Sequence, residues 1–165
     1  MMEEYHIARE KIVEGMFTAA AIGMVIAKKA SISGAKGGCQ AECGSAAAMT
    51  AAALVEIMGG TPQQAADACA MALKNQLGLV CDPVAGLVEI PCIKRNVAGI
   101  MIAFSSADMA LAGIQSKIPV DEVIHAMKEV GDMMPCAMKE TALGGLANTP
   151  TAKKMKEQVF GKKEA

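Results

Sequence analysis

Between Cys81 and Asn96 the chain reads CDPVAGLVEIPCIKRN, and no other stretch limits the fold as much. Two cysteines bracket a segment that holds Pro83, Gly86 and Pro91. Proline fixes φ and donates no backbone hydrogen bond, so a helix is not expected to run through it. Strongly helical patterns lie on both sides. The stretch is therefore expected to be an ordered loop whose ends are held together by something that binds both thiols. A second cysteine-bearing stretch, Ser31 to Ser45 (SISGAKGGCQAECGS), lies upstream. The rest of the chain reads as scaffolding that brings the two together.

That scaffolding is expected to be all-α: a compact domain of about five to six helices with cysteine-bearing loops. Aromatic residues make up only 2% of the 165, while 53% are hydrophobic, chiefly Ala, Met, Ile, Leu and Val. Small and flexible apolar side chains favour closely packed helices over a β-sandwich. The 14 methionines read as adaptable core filling. A single domain over residues 1–150 and a solvated basic tail over 151–165 (TAKKMKEQVFGKKEA) account for the length.

Taken in order, a helix is expected from Glu3 to about Lys29, with the closing lysines suited to its C-terminal dipole. Ser31 to Gly38 reads as a loop, followed by a helix from Cys39 or Gln40 to Met58 that Gly59-Gly60 stops. Thr61-Pro62-Gln63-Gln64 is a helix start with a capping box, and that helix runs to about Gln76. The cysteine loop spans Leu79 to Pro91. Helices over Ile93–Ala112 and from Pro119 to about Val130 come next. Residues 131–150 are broken by Pro135, Gly144-Gly145 and Pro150.

The formal net charge is −1, with no basic stripe, which gives nucleic-acid binding no support. The two most apolar runs, Ile12–Ala27 and Val97–Ile114, contain Glu14 and Asp108. They fall short of a clean membrane span and read as helices buried on most sides. The polar opening residues do not resemble a secretory signal, so a reducing, cytoplasmic setting is expected. There, grouped cysteines more often mean metal or redox chemistry than disulfides.

Cys39 follows two glycines at an expected helix start, where backbone N–H groups favour a thiolate. Cys43, four residues on, shares its face. With Cys81 and Cys92, four thiolates suit a tetrahedral zinc; three suit an iron–sulfur cluster with one iron left open. The spacings C-x3-C and C-x10-C match neither common zinc pairs nor ferredoxin runs, so the residues alone leave the metal open. Cys69 reads as a small core residue; Cys136 is undecided between a structural thiol and a spare ligand. Lys36, Arg95 and Asn96 are the polar candidates for substrate contact. The Arg95 guanidinium suits either a carboxylate clamp or, equally, the capping of loop carbonyls or the neutralising of a negatively charged site. Glu42, Asp82 and Glu89 read as surface or loop-orienting carboxylates, and neither His6 nor His125 is given a catalytic role.

SISGAKGGCQAECGSA (31–46), EIMGGTPQQAADACAMALKNQLGLVCDPVAGLVEIPCIKRN (56–96), ADMALAGIQSKIPVDEVI (107–124) and GGLANTP (144–150) together resemble the iron–sulfur-dependent L-serine dehydratases, specifically the second half of their α chain. The resemblance implies a helical domain holding a [4Fe–4S] cluster through Cys39 (GGCQAE), Cys81 (VCDP) and Cys92 (EIPC). Cys43 falls where the family usually has an apolar residue, so it is not expected to be a ligand. The implied chemistry is aconitase-like: an open iron polarises the hydroxyl of L-serine, a base takes the α proton, and the aminoacrylate released hydrolyses to pyruvate and ammonia. That places the activity in amino-acid degradation and gluconeogenesis. The family's glycine-rich ATPTAGSAG-type segment and SSSHT-type motif do not occur here. The chain is accordingly expected to be one piece of a split enzyme or an excised domain. It would act with a β subunit or domain, or with the missing N-terminal half, in a homo- or hetero-oligomer. A non-catalytic helical metal-binding or assembly domain, holding zinc or iron–sulfur, is the alternative.

Overall fold

A computed structural model describes residues 6–161. Among them there are seven α-helices and no strand. The helices are α1 (Arg9–Lys29), α2 (Gly34–Gly37), α3 (Ser45–Ile57), α4 (Pro62–Lys74), α5 (Cys92–Leu111), α6 (Val120–Met133) and α7 (Pro150–Phe160). The all-α expectation holds. No helix among the described residues is long and apolar enough to cross a membrane.

The core forms where α3, α4, α5 and α6 meet. It is built from small residues, including Ala48, Ala51, Ala68, Ala72, Ala103 and Ala107, with Leu73, Ile124 and Met127 as the larger members. Side chains this short let helix axes approach closely, and closeness makes up in dispersion contacts for what each residue lacks in area. Glycine extends the same logic along α1. A Cβ at Gly15 would lie 2.6 Å from Ile57 Cγ1, and one at Gly23 would lie 2.9 Å from Met49 Cε. The α4 start is the capping box expected: Gln64 N–H donates to Thr61 Oγ1 (3.2 Å), and Thr61 N–H donates to Gln64 Oε1 (2.8 Å).

Several expectations need correction. The first helix begins at Arg9, with His6–Ala8 outside it; residues 3–5 lie outside the described part. Loop 31–38 contains the short helix α2, and α4 stops at Lys74. Where a solvated tail is expected after residue 150, Thr149 caps a helix through its Oγ1, which accepts from Ala152 N–H at 3.3 Å, and Pro150 opens it. α7 packs against the cysteine loop, which gives it a reason to be ordered; residues 162–165 lie outside the described part. Finally, the apolar runs of α1 and α5 are not buried on most sides. Phe17 is 73% exposed and Met101 65%, and many methionines expected in the core, Met16 and Met133 among them, lie on the surface.

Candidate metal and catalytic site

Three segments converge at one end of α3. The first is the glycine turn before Cys39. Gly38 adopts φ +76° with ψ −178°, a conformation open essentially to glycine alone, and a Cβ there would sit 2.9 Å from Leu79 O. This close approach lets Gln40 N–H donate to Leu79 O at 2.9 Å. The Gln40 side chain, fully buried, donates from Nε2 to Met127 O (2.9 Å) and accepts at Oε1 from Gly78 N–H (2.9 Å). One glutamine thus ties the cysteine turn to α6 and to the chain after α4. Sequence reasoning missed it; its place directly after Cys39 was the only signal.

From Gln40 to Gly44 the backbone is a π-helix running into α3. Such bulges recur at functional sites because the extra residue re-aims side chains. Here Cys39 Sγ and Cys43 Sγ come within 3.3 Å, and both are buried. The second segment carries Cys81, which forms a parallel bridge with Lys139. Cys81 N–H donates to Met138 O, and Glu140 N–H donates to Cys81 O, each at 2.8 Å. Cys39, Cys43 and Cys81 pack as one buried cluster with Leu79 against it. The third segment is the start of α5. Cys92 is its first residue and partly exposed, and Asn96 Nδ2 donates to Cys92 O at 3.0 Å while Asn96 Oδ1 lies 3.6 Å from Cys43 Sγ.

Arg95 is held from within. Its guanidinium donates to Val80 O at 2.8 Å and lies 2.8 Å from Oδ1 of the buried Asp82. The other Asp82 oxygen accepts from Leu146 N–H at 2.7 Å. This buried pair therefore joins the residues beside Cys81, the helix of Cys92 and the 144–148 turn. The contacts of Arg95 are thus to a loop carbonyl and to a carboxylate of this chain, and its charge acts on Cys39. Lys36 lies apart, lining a cavity of about 150 Å³ with Ser31, Lys128 and Asp132. Cys69 is a core residue of α4, and Cys136 is exposed. His125 lies 3.4 Å from Glu129 on the outer face of α6.

Glu140 is the other residue sequence reasoning did not find, because only the Cys81–Lys139 bridge brings it here. A Cβ on Gly34 would lie 2.9 Å from Glu42 Oε2, 3.1 Å from Cys81 Sγ and 3.5 Å from Glu140 Oε2. Two carboxylates and a thiol thus crowd a point where only a hydrogen fits, and they give the site groups able to accept a proton. Glu140 has φ +62°, a strained value for its type.

The thiols differ in acidity. Hydrogen bonding from Cys43 holds the Cys39 thiol down at about 7, against burial, with the Arg95 charge helping. The same contact pushes Cys43 strongly up. Burial, then the charge of Cys39, pushes Cys81 up to about 12 and raises Cys92 as well. A cation among these sulfurs would reverse the last two shifts. Among the described residues no three His, Cys, Asp or Glu side chains are placed to hold a single metal ion. A polynuclear cluster has no such requirement, because each thiolate takes a different iron.

An all-helical domain that gathers cysteines from three Gly- and Pro-bearing segments is the class of protein defined so far. The profile of the family described as serine dehydratase alpha chain matches residues 1–147, and the chain belongs to that family. It is 59% identical over 159 residues to the probable L-serine dehydratase, alpha chain, of Bacillus subtilis (strain 168), covering 96% of this chain and 53% of that one. Identity to the L-serine dehydratase, alpha chain, of Peptoniphilus asaccharolyticus is 55% over 154 residues, covering 93% and 53%. Against the L-serine dehydratase of Streptomyces coelicolor it is 50% over 137 residues, covering 82% and 30%. The chain thus spans about half the length of the α-chain relatives from Bacillus and Peptoniphilus.

Proposed function

We propose that this chain is the cluster-binding part of an L-serine dehydratase, an L-serine ammonia-lyase, with Cys39, Cys81 and Cys92 as ligands of a [4Fe–4S] cluster. The observation that carries the reading is the gathering of Cys39 and Cys81 in one buried group, with the charge of Cys39 acting on the thiol of Cys92. The donor set fits: soft sulfur ligands in a buried pocket, one thiol already held near neutrality, and a glycine at residue 34 where any Cβ would press on Cys81 and Glu42. When bound, such a cluster supplies a Lewis acid for a leaving hydroxyl.

The chain's own residues do the rest. The Asp82–Arg95 pair fixes the Cys81 segment against α5. Asn96 spans the Cys92 carbonyl and Cys43. Cys43 is a hydrogen-bonding neighbour of Cys39 rather than a ligand. Glu42 and Glu140 stand where a proton released beside Cys81 has an acceptor at a carboxylate Oε2. L-serine as substrate, a cytoplasmic setting and an oligomer with a β subunit or domain complete the reading, and the names of the relatives support the first. Because the chain spans about half of those relatives, turnover is expected only with the remaining portion.

The test is pyruvate and ammonia release from L-serine by protein purified without oxygen, alone and with the chain that co-purifies with it. Cys81→Ala should abolish turnover while leaving the helical circular dichroism intact. Unchanged turnover in that variant removes the ligand assignment. Cluster loading without turnover in any assembly favours the non-catalytic assembly domain.

A further inference from the structure

Three helices leave a common face uncovered. α1 and α5 both pack along α3, and α4 lies beneath. On α3 the contacts with α1 fall at Met49 and Ile57, and the contact with α5 falls at Ala47. The face between them is floored by Ala46, exposed, and Thr50, whose hydroxyl turns back to donate to Ala46 O at 2.8 Å. The floor is therefore small and almost without free polar groups.

Its walls are apolar. On the α1 side, Met16 is 66% exposed and Met24 68%. On the α5 side, Ile93 and Val97 are exposed by 61% and 62%, and Ile100 stands on the same stripe, seven residues after Ile93. No Asp, Glu, Lys or Arg occurs from Gly15 to Ala27 or from Asn96 to Ala107. A cavity of about 350 Å³ opens between α1 and the start of α3; Glu42 is the one charged residue in its otherwise small or apolar lining, and Ser45 Oγ, buried on its wall, has no hydrogen-bond partner. Exposed apolar area on this scale marks an interaction surface.

We infer that this groove seats an uncharged, apolar helix from the other portion of the α chain, the portion by which the relatives exceed this sequence. Two observations select that occupant. The relatives with twice the length share this portion at 55–59% identity, so an equal length of chain accompanies the same surface in them. The groove also ends at the cysteine site, since Cys43 precedes the floor of α3 and Cys92 and Asn96 open the α5 wall. A helix in the groove would cover the partly exposed Cys92. The inference rests on family membership and on the packing, not on the cluster or on serine turnover.

The test is co-expression of this chain with the portion of the Bacillus subtilis relative that lies outside the matched region, followed by affinity purification through one of them, with no iron or serine required. A complex of equal stoichiometry is expected, with slowed hydrogen exchange in α1 and α5. Ala46→Glu and Ile100→Lys, both at exposed positions, should each weaken the complex by roughly tenfold or more. Met133→Lys, exposed on α6 away from the groove, should leave it unchanged. Circular dichroism checks that each variant is folded. No complex, a complex indifferent to Ala46→Glu, or self-association of this chain through the same residues overturns the inference.

Discussion

Replacing Arg95 with leucine tests what holds the cysteine site together. Asp82 is only 3% exposed and the Arg95 side chain 18%, with Oδ1 and the guanidinium 2.8 Å apart. Removing one partner of a buried pair costs about 3–5 kcal/mol, because the other charge is left without compensation. Asp82 keeps the Leu146 N–H on its second oxygen, and Arg95 is partly solvated, so the lower part of that range applies. Loss of the bond to Val80 O adds to it. The expected destabilisation is about 3–4 kcal/mol. With a urea m-value of about 2 kcal/mol/M, the unfolding midpoint should fall by roughly 1.5–2 M. Asp82→Asn keeps an acceptor for Leu146 and should cost less. The double variant should be more stable than the sum of the two losses allows, by about 1–3 kcal/mol. Hydrogen exchange localises the effect: the amides of Cys81 and Leu146 should lose protection in both single variants. A fall under about 1 kcal/mol in Arg95→Leu, or strictly additive losses, would refute the reasoning.

Further outcomes follow from the packing and from the acidities of the thiols. Gly38→Ala puts a Cβ 2.9 Å from Leu79 O at φ +76° and should lower stability by about 2–4 kcal/mol in urea unfolding, with Gln40 and Gly78 amides exchanging faster. Thr61→Ala removes the α4 capping box and should cost about 1 kcal/mol by thermal unfolding, leaving the cysteine site intact. In metal-stripped protein, thiolate absorbance should show one group titrating near 7, moved upward in Cys43→Ala. Because the folded value lies below the ordinary 9.0, this thiol stabilises the fold fully above pH 9 and loses that contribution as pH falls through about 7. Cys81 and Cys69, held up at about 12, act oppositely: above pH 9 the unfolded chain sheds those protons first, so stability should decline again.

Sequence reveals this protein unevenly, for physical reasons. Helices show well where the signal is local, as in Thr61–Gln64, where cap, proline and glutamine act within one turn. The cysteine loop shows because proline excludes helix regardless of tertiary context. Gln40 and Glu140 do not show, because their roles arise from contacts 38 to 87 residues away along the chain or from a two-residue bridge with no periodicity. Arg95 offered a clamp, a carbonyl cap or a neutralising charge in sequence, and its contacts with Asp82 and Val80 O, 13 and 15 residues back, had no local signal. The methionine-rich helices mislead for another reason. Their patterns say that apolar faces will be covered, and in this chain alone the faces of α1 and α5 are not.

The most direct measurement is iron and acid-labile sulfide per chain, with a visible spectrum, on protein purified or reconstituted without oxygen, for the wild type and for Cys39→Ala, Cys81→Ala and Cys92→Ala. About four of each are expected in the wild type, with a broad absorption of thiolate-bound iron, and both should be lost in every one of the three variants while Cys43→Ala retains them. Zinc near one per chain, or full iron and sulfide in any of the three variants, would contradict this expectation.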